Sequence, residues 1–166
     1  MTLSTFYKEH NAEIDRAITG ALREDKVTGD ITTKLLLSGE RGDKKLSAVL
    51  LCKEDCVLAG IEIFKRVYQQ IDRNVTFRTY FKDGRVLKKG TKVLEVTSTL
   101  RNLLEGERTS LNFLQRMSGI ATLSNSFVRK LKFKDSKILH TRKTTPNFRL
   151  FEAAAVKTGG GDFHRL

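Results

Sequence analysis

The residues best equipped for chemistry lie in the stretch Ile138-Leu139-His140-Thr141-Arg142-Lys143-Thr144-Thr145-Pro146-Asn147-Phe148-Arg149. Two apolar residues give way to hydroxyls and fixed positive charges, and the only proline of the chain then stops any strand from continuing. Arg142 keeps its proton at physiological pH and can grip a carboxylate or phosphate with a planar fork, while Lys143 adds a compact point charge. A second cluster follows, Gly159-Gly160-Gly161 and then Asp162-Phe163-His164-Arg165. Consecutive glycines let backbone N–H groups approach an anion, Arg165 offers a second fork, and His164 can bind a carboxylate or move a proton near neutral pH. The two clusters are expected to form two walls of one anion site, suited to adjacent carboxylates or a phosphorylated sugar. From spacing alone, a pair of surface charges and a flexible glycine joint remain open as the plainer alternative.

The elements that must position these residues follow from periodicity. Ile138-Leu139 after a basic linker reads as a buried strand, so the donors after it would sit at a strand's carboxyl end, where α/β folds place ligands. Phe148 to Lys157 reads as an alanine-rich helix ended by the triple glycine. Upstream, apolar residues spaced three and four apart from Leu111 to Leu131 give one long helix over 105–133, opened by Gly106 and kinked at Ser118-Gly119. Ile14, Ala17, Ile18, Ala21 and Leu22 form one stripe of a helix over 11–24, followed by a polar loop through Gly29. Strands are expected at 46–52 and 75–81, with a helix from Ile61 to about Gln70 between them. The valines and glycines of 84–96 predict a hairpin, and Lys88-Lys89-Gly90 is a poor match to the modified lysine of a lipoyl or biotinyl carrier. The organisation expected is an α+β sandwich domain with an antiparallel sheet over 1–112, then the beginning of an α/β barrel over 113–166.

A net charge of +12 implies an anionic partner: nucleic acid, an acidic membrane surface, or small multiply charged substrates. No run of 18 apolar residues occurs and the start lacks a signal-peptide pattern, so the expected location is cytoplasmic. Cys52 and Cys56 lack two further ligands at zinc spacing and are expected to be two buried thiols, with no metal held by the chain. There is no phosphate loop of the Gly-x-x-x-x-Gly-Lys-Ser/Thr type and no local signature of a nucleophilic triad.

Four motifs, in order, resemble the quinolinate phosphoribosyltransferases. They are Ala21-Leu22-Arg23-Glu24-Asp25 with Gly29-Asp30-Ile31-Thr32, the run from Glu107 to Thr122, Thr141-Arg142-Lys143-Thr144-Thr145-Pro146, and Gly159-Gly160-Gly161 before His164-Arg165. The resemblance implies an enzyme of NAD synthesis that joins quinolinate to 5-phosphoribosyl 1-diphosphate, releasing diphosphate and carbon dioxide to leave nicotinate mononucleotide. It implies that Arg142, Lys143, His164 and Arg165 hold the quinolinate carboxylates, with Thr141 in the same strip. Arg108 would reach into a neighbouring subunit's site, so that Arg108 and Lys143 form the catalytic set in a homodimer or a hexamer of dimers. Mg2+ would arrive on the diphosphate substrate.

Two departures stand out. The family usually has Asp where His140 stands, which leaves open a relative with a changed substrate, such as the homologue associated with molybdenum transport. The chain also stops early in what should be a barrel, before the family's later lysine, its acidic residues and its phosphate loops, and it is expected to be part of a longer polypeptide. A nucleic-acid-binding module rests on the charge alone, without a recognition motif.

Overall fold

The structure, a computed structural model, describes residues 1–27, 42–132 and 135–164. The chain begins with a helix absent from the sequence expectation, α1 (Leu3–Glu9), whose N-cap Thr2 accepts the Thr5 N–H at 3.2 Å. Seven residues are too few for a periodic stripe to stand out, and tertiary contact decides the helix: Phe6 is fully buried. Helix α2 (Asn11–Val27) buries Ile14, Ile18 and Leu22 as its apolar spacing requires. The polar loop at Gly29 and the Gly29-Asp30-Ile31-Thr32 motif lie outside the described residues.

Strands β1 (Lys45–Leu51), β2 (Cys56–Val57), β3 (Thr76–Thr79), β4 (Val86–Leu87) and β5 (Lys92–Thr99) surround helix α3 (Ile61–Ile71) in sequence. The main sheet is antiparallel in the order β1-β5-β3, with Val96 opposite Ala48 on one side and Phe77 on the other. The expected hairpin over 84–96 is corrected. Strand β4 pairs with β2 and β5 with β1 and β3, so the turn at Lys88–Gly90 passes the chain between two sheets. Spacing of valines and glycines specifies extended backbone but not its partner.

Helix α4 (Leu100–Val128) has the expected length but starts and ends five residues earlier, at an N-cap Thr99 whose hydroxyl accepts the Asn102 N–H at 3.3 Å. It runs through Asn112 and Phe113 without a break. Gly106 does not open it and Ser118-Gly119 does not interrupt it. Instead the Ser118 hydroxyl bonds both the N–H and the carbonyl of Ala59 at 3.1 Å, tying α4 to the start of α3. Gly106 is a contact point: a Cβ there would lie 2.5 Å from the Tyr68 ring, which is pinned by its own hydroxyl donating to the Leu103 carbonyl at 3.1 Å. Gly106→Ala should therefore lower stability by about 1–2 kcal/mol, the overpacking outweighing about 1 kcal/mol of gained helix propensity. Chemical denaturation checks this, and an unchanged midpoint would show that the ring can move aside.

Helix α4 separates two apolar layers. One, built on Phe6, Ile14, Ile18, Ile63, Val67, Phe113, Met117 and Phe151, joins α1, α2, α3 and the last helix, α5 (Arg149–Thr158). The other, built on Phe64, Tyr68, Leu94, Val96, Leu103 and Leu114, fills the space beneath the sheet. No described helix is long and apolar enough to cross a membrane.

The expected buried strand at Ile138-Leu139 is also corrected. Only a single parallel bridge forms there, Leu139 with Asp162, and Leu139 is 48% exposed. The bridge is nevertheless firm: the Asp162 N–H donates to the Ile138 carbonyl at 2.7 Å and the His140 N–H to the Asp162 carbonyl at 3.2 Å. Two parallel segments joined through α5 make one β-α-β unit, the repeating element of an α/β barrel.

Candidate functional site

The parallel bridge determines the geometry of the site. Because the segments at 138–140 and at 162 run the same way, Thr141-Arg142-Lys143 and Phe163-His164 leave the same, carboxyl, end of the pair. The strip is shaped locally by Thr141, whose Oγ1 accepts the Lys143 N–H at 3.1 Å and turns the chain. Thr141, Arg142, Lys143 and His164 are all exposed, and Arg165 lies outside the described residues.

Asp162, the acid of the second cluster, is paired with lysines outside the strip. Asp162 is held by Lys157 at 2.8 Å and by Lys137 at 3.5 Å, and it accepts the Phe163 N–H at 2.9 Å. The Lys157 ammonium, then the Phe163 N–H, hold its carboxyl down to about 2. Any stability it adds is present above the ordinary carboxylate range near pH 4 and is lost as pH falls toward 2. Its charge therefore stays committed to those lysines throughout the neutral range, and Arg142 and Lys143 form no ion pair among the described residues.

His140, at the start of the strip, is 4% exposed. The His164 N–H donates to its Nδ1 at 2.9 Å, so the ring is neutral and carries its proton on Nε2. Nε2 has no hydrogen-bond partner among the described residues. Burial pushes the imidazole below its ordinary value, aided by the positive fields of His164 and Arg149 and opposed by the Asp162 backbone carbonyl. The unfolded chain then binds this proton more readily than the folded one. Stability linked to His140 is full above about pH 6.5 and falls as pH drops below it through the folded value. Thermal denaturation should show a decline between pH 7 and pH 5 that is flatter in His140→Asn, and equal slopes would contradict this.

The glycines end α5 as expected, but they do not offer their N–H groups to an anion: Gly159 donates to Ala155, Gly160 to Lys157 and Gly161 to Val156. This is a Schellman ending of α5, with Gly160 at φ +96° in the left-handed position that favours glycine. Gly159 and Gly161 are required by crowding, since a Cβ would lie 2.4 Å from the Ala121 carbonyl and 2.9 Å from the Ile138 carbonyl respectively. The triple glycine thus brings the second wall against the first without itself binding the anion.

Arg108 stands apart from the strip, on α4, where its guanidinium bonds the Asp25 carboxylate of α2 at 2.6 Å. Sequence reasoning passed over Arg116, which bonds Thr145 at 2.8 Å and Glu152 at 3.0 Å and so fixes the turn after the strip to α4 and α5. Its position within a helical motif carried no signal of a partner so far along the chain. A cleft of about 1110 Å³ opens between α2, α4 and this turn, lined among others by Asp25, Asn112, Arg116 and Phe148, but by none of the strip residues. Cys52 is a buried thiol as expected, whereas Cys56 is only half-buried, with the two sulfurs 3.5 Å apart. No group of three His, Cys, Asp or Glu side chains among the described residues is arranged to hold a metal.

Two family models match. That of the quinolinate phosphoribosyl transferase N-terminal domain covers residues 30–118, and that of the C-terminal domain covers 120–166. The chain is 36% identical over 157 residues to a probable nicotinate-nucleotide pyrophosphorylase (carboxylating) of Bacillus subtilis, covering 95% of this chain and 53% of that protein. The crystal structure of NadC from Streptococcus pyogenes superposes with a TM-score of 0.85 at 44% identity, over 92% of this chain and 54% of the other. The nicotinate-nucleotide pyrophosphorylase of Francisella tularensis follows at a TM-score of 0.83 and 35% identity, over 93% of this chain and 53% of that one. The chain spans about half the length of these relatives.

Proposed function

The chain belongs to the quinolinate phosphoribosyl transferase family, and from that premise we propose that its strip binds the carboxylates of the acceptor in a phosphoribosyl transfer. The reaction joins quinolinate to 5-phosphoribosyl 1-diphosphate, releasing diphosphate and carbon dioxide to leave nicotinate mononucleotide, a step of NAD synthesis. The observation that carries this reading is the parallel Leu139–Asp162 bridge, which puts Thr141-Arg142-Lys143 and His164 at one end of a strand pair.

In this reading Arg142, Lys143, His164 and Arg165 hold the two adjacent carboxylates of quinolinate, and Thr141 keeps the strip turned. Two anchored carboxylates fix the pyridine ring, so its nitrogen has one direction in which to meet the sugar carbon. The ribose–diphosphate bond breaks as the nitrogen–carbon bond forms, and the bonding electrons leave with diphosphate. The ring carboxylate beside that nitrogen is then lost as carbon dioxide, and a proton takes its place. Charge separates throughout, so fixed electrostatics carry the catalysis and no covalent nucleophile is needed. Mg2+ enters with the diphosphate as part of that substrate. Both substrates are highly charged and do not cross membranes unaided, which supports a cytoplasmic location.

As the family resemblance implies, Arg108 serves the site of a partner subunit in this reading, in a homodimer or a hexamer of dimers; within its own chain it is exposed and paired with Asp25. Mixing Arg108→Ala with Arg142→Ala protein should restore about a quarter of the wild-type sites, since each mixed dimer regains one intact site. No recovery on mixing would place Arg108 in its own subunit's site. The function itself is tested by incubating the purified protein with quinolinate, 5-phosphoribosyl 1-diphosphate and Mg2+. Nicotinate mononucleotide is expected, and its absence, with binding of neither substrate, would overturn the proposal.

A further inference from the structure

We propose that His140 is a positioning residue of this site: its buried imidazole latches the second wall to the first by accepting the His164 backbone N–H. The inference rests on the anion-strip reading above, but the latch itself is a matter of geometry. His140 sits between the strand residue Leu139 and the strip residue Thr141, so it belongs to the first wall by sequence. Its Nδ1 takes the N–H of His164, a residue of the second wall, at 2.9 Å. Among the described residues the walls are otherwise joined one step earlier, through the backbone bonds of Asp162 to Ile138 and His140 and the ion pair of Asp162 with Lys137. Without the imidazole, the chain beyond Asp162 would leave the bridge with no hydrogen bond to hold His164 beside Thr141. The ring cannot swing away readily, since it is buried and packs edge-on against Phe163, with centroids 6.2 Å apart.

The bond needs an acceptor at Nδ1, so it exists only while His140 is neutral. The charged groups that bear on it are the His164 imidazole, the Arg149 guanidinium and, through its backbone, Asp162. Protonation at Nδ1 would turn the acceptor into a donor facing another donor. A carboxylate at this position would accept the same N–H without titrating near neutrality, so His140 makes the alignment of the walls dependent on pH.

The test reads the His164 amide directly, by hydrogen exchange in the whole protein, corrected for the intrinsic rate at each pH. Wild type should protect this amide at pH 7.5 and lose at least about tenfold of that protection as His140 protonates on acidification. His140→Ala should lack the protection at every pH. His140→Asp and His140→Asn, which keep an acceptor, should hold it with no pH dependence, and they serve if the alanine variant does not fold. Quinolinate affinity should follow the same pattern, weakened about tenfold in His140→Ala and rescued by His140→Asp. Equal His164 protection in wild type and His140→Ala would overturn the latch. Loss of protection with unchanged quinolinate affinity would overturn its positioning role. A latch that behaves as expected in a protein that binds no quinolinate would support the latch and overturn only the choice of substrate.

Discussion

Replacing Arg142 with alanine should weaken quinolinate binding about 100-fold, close to 3 kcal/mol, the usual loss when one partner of a charge-assisted pair is removed. Arg142→Lys should recover little of it. A lysine keeps the charge but gives up the planar pair of donors that matches a carboxylate, and Lys143 next door already supplies a point charge. The fold should be indifferent to both changes, because Arg142 is exposed and the strip is shaped by Thr141 and the bridge at Leu139. Calorimetric titration with a matched thermal melt separates the two effects. Full binding by Arg142→Ala would remove this residue from the clamp.

The largest effect on stability should come from Gly159→Ala. Its added Cβ would meet the Ala121 carbonyl oxygen at 2.4 Å and the Ser124 Cβ at 2.8 Å. The first neighbour is helix backbone of α4, which cannot rotate aside as the end of a long side chain can. The end of α5 must lift off α4 instead. That would strain the Asn125 amide's bond to the Gly159 carbonyl, 3.2 Å, and loosen the buried face of Phe151, Ala154 and Ala155. A loss of about 3 kcal/mol is expected, at the upper end of ordinary overpacking. Because Asp162 and His164 follow directly, the variant should also bind quinolinate more weakly than its remaining folded fraction accounts for. Denaturant unfolding and titration at one temperature measure both, and an unchanged unfolding midpoint would show that α4 and α5 can separate without penalty.

Much of this architecture was legible in the sequence where a single periodicity decides it. The stripe of Ile14, Ile18 and Leu22, the helix after Gly60 and the alanine-rich helix before the glycines are each set by spacing alone. What was not legible depends on partners distant in the chain. Lys88–Gly90 has turn chemistry, but the pairing of β4 with β2 rather than β5 is a property of the assembled sheets. Gly106 and Ser118 disturb a helical pattern on paper, yet each is there for a neighbour, the Tyr68 ring and the Ala59 backbone. In the site, residue types announced an anion strip, and the chain motifs supplied its family. The glycine N–H groups were misassigned because three consecutive glycines look the same whether they cradle an anion or cap a helix. Only the bonds to Ala155, Lys157 and Val156 distinguish the two. The tie between His140 and His164 joins positions 24 apart in sequence and has no local signature.

The strip is expected to clamp two adjacent carboxylates rather than attract anions at large. This is tested most directly by titrating the protein with quinolinate and, separately, with nicotinate, the same ring bearing one carboxylate. Two anchored groups predict quinolinate binding at least about tenfold tighter at equal ionic strength, the advantage a second charge-assisted contact brings. Equal affinities for the two acids would contradict the clamp.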